Sequence, residues 1–168
     1  MSKINLNAVL KFAGYVLLIE AAGNILSGIL AAGYRENIFP FIWSFIVTAI
    51  PGSLLVWRTL RSQRQELSNK DGYLVIIVSW LILALAGTLP YLFSHTTDGF
   101  ANALFESASG CTTTGSSSFG SVEQLPYSIL FWRSLTQWTG GLCVLYMLVS
   151  VLPVIQIGGH NLYSTEVP

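Results

Sequence analysis

An all-helical membrane protein is the fold class that this sequence predicts, and three observations carry the prediction. Hydrophobic residues make up 52% of the 168 positions and charged residues only 10%, with a mean hydropathy of +0.61; a soluble domain carries about a quarter charged residues. Four apolar runs, at 8–32, 39–57, 73–93 and 128–155, approach or exceed the roughly 20 residues that a helix needs to cross the hydrocarbon. A fifth apolar stretch, 100–109, is too short to cross and leads straight into Thr112-Thr113-Thr114-Gly115-Ser116. The expected architecture is four transmembrane helices plus one re-entrant pore half-helix and filter strand. Residues 1–68 form an N-terminal helix pair with a basic cytoplasmic loop, and residues 69–168 a helix–pore loop–helix repeat with a short cytoplasmic tail.

The first run is too long for the apolar core of a signal peptide and a second follows within a few residues, so it reads as a retained helix. Within it Glu20 and Asn24 stand i,i+4 on one face, with Gly23, Ser27 and Ala31 nearby. A carboxylate at membrane depth costs a few kcal/mol on insertion scales, so it needs a partner or a function. Glu20 is expected to hydrogen-bond Asn24 or a neighbouring helix, with an ion or proton site as the alternative. In the third run Trp80 and Gly87 interrupt a Leu/Ile series, and Pro90 is expected to close the helix.

Orientation follows from the basic residues. Lys3 and Lys11 lie near the N-terminus, and Arg58, Arg61, Arg64 and Lys70 fill the second connection, whereas the third holds His95, Asp98, Glu106 and Glu123 and no Lys or Arg. The positive-inside rule then places both termini and the 58–70 loop in the cytoplasm of a multi-pass cell-membrane protein. Asp98 and Glu123 fall outside, where negative charge would raise the local cation concentration unless they are ordinary loop charges. Cys111 and Cys143 have no zinc or redox spacing and read as small apolar residues. His95 and His160 fall on opposite sides of the bilayer. No paired His/Asp/Glu or Ser/Lys site lies at one depth, so the chain is not expected to be an enzyme.

The half-helix begins near Asp98 or Gly99, with Asp98 as its cap and Gly110 as its stop. Dipping into the membrane, its C-terminus would present about half a negative charge, which favours a cation. Backbone that is not helical at this depth is tolerated only inside protein or beside water, and a row of carbonyls facing a pore can replace the hydration shell of a potassium ion. Thr112, Thr113, Thr114 and Gly115 supply such a row. The Thr side chains can anchor it, and Gly115 can take a positive φ without a Cβ penalty. A Ser/Thr-rich loop of low complexity is the plain alternative. In the last run Phe131-Trp132-Arg133 suits the outer interface, and Gly140-Gly141 allows a bend or a close helix approach. Arg133 is expected either to pair with Glu106, locking the filter support to the last helix, or to snorkel at the surface. Together these residues point to cation permeation. A non-conducting structural or assembly subunit of a membrane complex would be equally hydrophobic but has no use for the half-helix and the Thr-Thr-Thr-Gly segment.

The stretch Phe105-Glu106-Ser107-Ala108-Ser109-Gly110-Cys111-Thr112-Thr113-Thr114-Gly115 resembles the first pore loop of the Trk/Ktr/HKT potassium-transporter superfamily, and within it the TrkH-type uptake proteins. The runs Leu130-Phe131-Trp132-Arg133-Ser134 and Gln137-Trp138-Thr139-Gly140-Gly141 resemble the helix that follows. So do Lys70-Asp71-Gly72-Tyr73 before the third span and Ile157-Gly158-Gly159-His160-Asn161-Leu162-Tyr163 after the fourth. The resemblance covers about residues 69–168; the first two spans match by hydropathy and position. It implies potassium uptake through filter carbonyls at Thr112, Thr113, Thr114 and Gly115, with Glu106, Arg133, Gly140 and Gly141 in support. The lipid bilayer and a TrkA-like cytoplasmic nucleotide-binding regulatory subunit are the implied partners, with potassium as substrate, no resident cofactor and no nucleic acid. Family members carry four repeats on one chain and this sequence holds one. The expectation is therefore a homo-oligomer or companion repeats, or else a non-conducting fragment.

Overall fold

The structure, a computed structural model, describes residues 5–60 and 69–163, and of these the side chains of 5–60 and 71–145. Lys3, Arg61 and Arg64 lie outside the described residues, and Lys70 and His160 are described in backbone only. Six helices follow in order: α1 (Leu6–Gly33), α2 (Phe39–Leu60), α3 (Asn69–Ala86), α4 (Leu89–Phe93), α5 (Phe100–Cys111) and α6 (Tyr127–Tyr163). Among the described residues, three stretches, Leu6–Gly33, Phe39–Leu60 and Asp71–Phe93, are long and apolar enough to cross a membrane. The run expected at 128–155 falls inside α6.

The two ends of the bundle are tied by polar contacts that hydropathy does not show. At one end Asn5 caps α1, its Oδ1 accepting from the Ala8 amide at 3.2 Å. The Asn5 amide in turn donates to Asp71 Oδ1 in the first turn of α3 at 2.8 Å. At the other end the α1–α2 connection meets the start of α6. Glu36 accepts from the amides of Tyr127 (2.7 Å) and Ser128 (3.0 Å) and from the Ser128 hydroxyl, and the Tyr34 and Tyr127 rings stack with centroids 4.7 Å apart. A carboxylate at the first free amides of a helix is favoured both by hydrogen bonding and by the helix dipole. The starts of α1 and α3 therefore lie at one end of the bundle and those of α2 and α6 at the other.

The third run departs from expectation. It does not continue unbroken to Pro90: α3 stops at Ala86, and Pro90 lies in the first turn of the separate α4. Proline lacks the amide that a helix interior would use, but the first turn has no partner for that amide anyway, so it starts a helix better than it closes one. The break at Gly87 is where α5 docks. A Cβ on Gly87 would lie 2.4 Å from Ser107 Oγ and 2.8 Å from Leu83 O, so only glycine lets the short helix approach. The freed Gly87 carbonyl accepts from Trp132 Nε1 at 3.1 Å. Trp132, expected at the outer interface, is instead 1% exposed and sits in the core with Phe41, Tyr91, Ala103 and Ile129; its indole N–H satisfies the carbonyl that the helix break left over. α5 lies between α3 and α6, and α1 packs on α2, α3 and α6.

Candidate functional site

α5 is short because its sequence stops it at both ends. Gly99, not Asp98, takes the capping position, with φ 91° and no side-chain cap. Residues with a Cβ avoid that backbone region, so glycine makes the entry turn; Asp98 is exposed, and its carbonyl accepts from Asn102 Nδ2 at 3.2 Å. Gly110, expected as the stop, is helical, and α5 runs on to Cys111. It is glycine for packing reasons, since a Cβ there would meet Thr136 Oγ1 of α6 at 2.7 Å. The helix is ended one residue past Thr112, by Thr113 in the left-handed region at φ 57°. Gly140 brings α6 closer still: its Cβ would lie 2.2 Å from the Cys111 carbonyl oxygen. The glycine pair thus serves a close helix approach, with Gly140 at the contact; a Cβ on Gly141 would reach only Thr113 Cγ2 at 3.7 Å.

After Cys111 the chain is irregular through Phe119 and forms no strand. A lone extended segment has no ladder partner, and side chains and turns hold this one instead. The Thr114 amide donates to Ser109 O at 3.0 Å and the Thr113 amide to Gly110 O at 2.9 Å. Ser109 Oγ donates to Ser116 O at 2.6 Å. The Thr112 hydroxyl donates to Ala108 O at 2.8 Å and lies 2.8 Å from that of Thr114. Gly115 has φ 76°, with open space where its Cβ would stand, so glycine is required by conformation alone. Residues 112–116 are all exposed. Among the described residues, no hydrogen bond falls on the carbonyls of Thr112, Thr113 or Thr114.

Behind this segment lies a buried charge pair. Arg133 Nε stands 3.2 Å from Glu106 Oε2, with Glu106 fully buried. Glu106 Oε1 accepts from the Ser117 hydroxyl at 2.8 Å, from the Ser118 hydroxyl at 3.1 Å and from the Ser118 amide. Arg133 also donates through NH2 to the Gly115 carbonyl at 3.1 Å. The pair expected from sequence is present, and it does more than join α5 to α6: it holds both the Gly115 carbonyl and the chain at Ser117–Ser118. Neither serine stands out in the sequence, because only the turn after Gly115 brings them back onto the carboxylate. Glu123 accepts from Ser121 at 3.1 Å at the exposed rim.

Glu20 behaves otherwise. Asn24 Nδ2 donates to the Glu20 backbone carbonyl at 2.9 Å, not to its carboxylate. Glu20 Oε2, Asn24 Oδ1 and Ser27 Oγ have no hydrogen-bond partner among the described residues.

A family model described as TrkH, cation transport protein, matches residues 37–168. The chain belongs to the TrkH family of cation transport proteins. It is 34% identical over 167 residues to the Trk system potassium uptake protein TrkH of Salmonella typhimurium, covering 98% of this chain and 34% of that protein. Trk system potassium uptake protein TrkG of Escherichia coli is 30% identical over 170 residues, 100% of this chain and 35% of that one. The crystal structure of the potassium transporter TrkH from Vibrio parahaemolyticus superposes with a TM-score of 0.83 at 31% identity, over 93% of this chain and 34% of that chain. The chain thus spans about a third of the length of the relatives it matches. It is a membrane protein of a transporter family, not of an enzyme family.

Proposed function

We propose that this chain contributes one repeat of a potassium-conducting pore, with the backbone of Thr112–Gly115 as its share of the filter. The carrying observation is the exposed row of carbonyls at Thr112, Thr113 and Thr114, at the negative end of the short buried helix α5. A carbonyl row beside a pore can take over the ion's hydration shell, and the C-terminal end of a helix favours a cation. Gly115 belongs to the same row. Its carbonyl is steadied by Arg133, and its second lone pair remains for the ion. In this reading α5 is re-entrant and α6 crosses the membrane as the fourth span. Residues 1–68 and 69–168 act as helix pair and repeat, and both ends face the cytoplasm. Four filter segments surround the ion, from copies of this chain or from companion repeats, since one segment leaves its carbonyls facing lipid or a void at several kcal/mol per group. No resident cofactor takes part, and a TrkA-like cytoplasmic subunit is the regulatory partner.

The test is Gly115→Ser. A Cβ at this positive φ costs roughly 1–2 kcal/mol and turns the carbonyl away from the ion path, with no steric clash to disturb the fold. Rubidium or potassium uptake, measured in cells lacking their own potassium transporters with sodium as competitor, should lose selectivity while membrane insertion persists. Unchanged rate and selectivity would remove the 112–115 segment from the filter role.

A further inference from the structure

We propose that Glu20 anchors a site for a monovalent cation between α1 and α6, with sodium as the probe that separates it from the filter. Glu20 is 5% exposed and its Oε2 has no hydrogen-bond partner among the described residues. It lines a cavity of about 10 Å³ together with Gly23 of α1 and Trp132, Leu135, Thr136 and Thr139 of α6. That volume holds about one water-sized sphere, which leaves room for a single monovalent ion stripped of its own shell.

The two α6 hydroxyls that line it have already spent their hydrogens. Thr136 donates to Arg133 O at 2.8 Å, and Thr139 to the carbonyls of Leu135 and Thr136, both at 3.0 Å. Outside the cavity lining, Asn24 one turn along α1 gives one amide hydrogen to the Glu20 carbonyl and leaves Oδ1 without a partner. A carboxylate facing oxygen lone pairs is an acceptor among acceptors, and a hard cation is the ligand such oxygens take.

Among the described residues, no neighbouring base supplies the countercharge. Arg133, one turn before Thr136, is committed to Glu106 and to the Gly115 carbonyl. Thr136 also touches Gly110, so the cavity lies one side-chain layer behind the negative end of α5, which deepens its attraction for a cation. Among the described residues, Tyr91 on α4 and Cys111 on α5 lie within electrostatic reach of Glu20. Both are neutral acids at ordinary pH and offset none of its charge. The site is separate from the filter, since none of its residues lies in 112–115.

Thermal unfolding of the detergent-purified chain, with choline chloride replaced by sodium chloride at constant ionic strength, tests this at mildly acidic and mildly alkaline pH. Sodium should raise the midpoint in a concentration-dependent way. Glu20→Gln should weaken the apparent sodium affinity by about tenfold or more, since the charge of the ligand set tunes affinity. Thr139→Val, which removes one oxygen and no charge, should weaken it by a smaller factor, and it keeps the test open if Glu20→Gln folds poorly. A sodium response that survives both substitutions would overturn the site. So would a wild-type midpoint that follows pH and ignores sodium, which would make a proton the occupant, or one that responds to neither. Because the readout is stability and not uptake, these failures leave the filter reading standing, and loss of the filter reading leaves this site intact.

Discussion

Glu106 on α5 is wholly buried with both carboxylate oxygens engaged, whereas Glu20 on α1, 5% exposed, keeps an oxygen without a partner. The residue type is the same, and so is the cost of taking a carboxylate out of water. The difference lies in what the neighbouring elements bring. Glu106 meets an arginine from α6 and two serines from a returning loop, which together offset its desolvation. Glu20 meets α6 hydroxyls that have spent their hydrogens on their own helix. A buried charge is thus defined by the donors left free around it and not by its own spacing. One carboxylate is structural support, and the other is a place for a ligand.

The largest expected effect breaks the supported side. Arg133→Leu leaves Glu106 buried without its partner and should cost about 3–5 kcal/mol of stability, read as a lowered denaturation midpoint in detergent. The double change Glu106→Leu with Arg133→Leu should recover much of that loss, giving a non-additive cycle. Additive effects would mean that the pair contributes nothing jointly.

Next come the glycines that bring α6 against α5. Gly140→Ala forces a Cβ into the Cys111 carbonyl, and overpacking of this kind costs about 1–3 kcal/mol. Gly141→Ala, whose Cβ finds only an ordinary contact at 3.7 Å, should stay within about 0.5 kcal/mol of wild type, the range of substitutions away from tight contacts. Equal midpoints for the two variants would show that the helices are not held at this contact.

The two carboxylates can then be compared by one substitution. Glu106→Gln keeps shape but weakens charge-assisted hydrogen bonds and should cost about 1.5–3 kcal/mol. Glu20→Gln in choline should be much milder, because no charge-assisted bond is lost. A larger cost at position 20 than at position 106 would reverse the comparison.

The smallest effect concerns Glu36. Its partial burial pushes its carboxyl up, but the hydrogen bonds from the Ser128 hydroxyl and from the Ser128 and Tyr127 amides outweigh this and hold it below the usual carboxylate range. A lowered folded-state value means that its stabilising contribution is complete above the unfolded carboxylate value of about 4.3 and is lost as pH falls through the folded one. Acidification through that window should loosen the contact between the α1–α2 connection and α6, read as faster hydrogen exchange at Tyr127 and Ser128. Glu36→Gln should abolish the pH dependence of that exchange.

Much of this was legible in the chain itself. Hydropathy located the apolar helices, because crossing a bilayer demands length and apolarity that a sequence displays directly. The short apolar stretch before Thr112 announced α5, and the lone glycine at 115 announced a positive φ. Pairing with Glu106 was one of two expectations for Arg133, the other being a surface position, and the contact itself decides for the pair. Tertiary structure alone decided the rest. It moved the cap from Asp98 to Gly99, turned Gly110 from a stop into a packing contact, and drew Trp132 from the interface into the core. It also brought Ser117 and Ser118 onto Glu106 and Glu36 onto the first turn of α6. Each of these depends on which donors and how much space a distant segment brings to a given point, and contacts between distant segments leave no periodic trace in the order of residues.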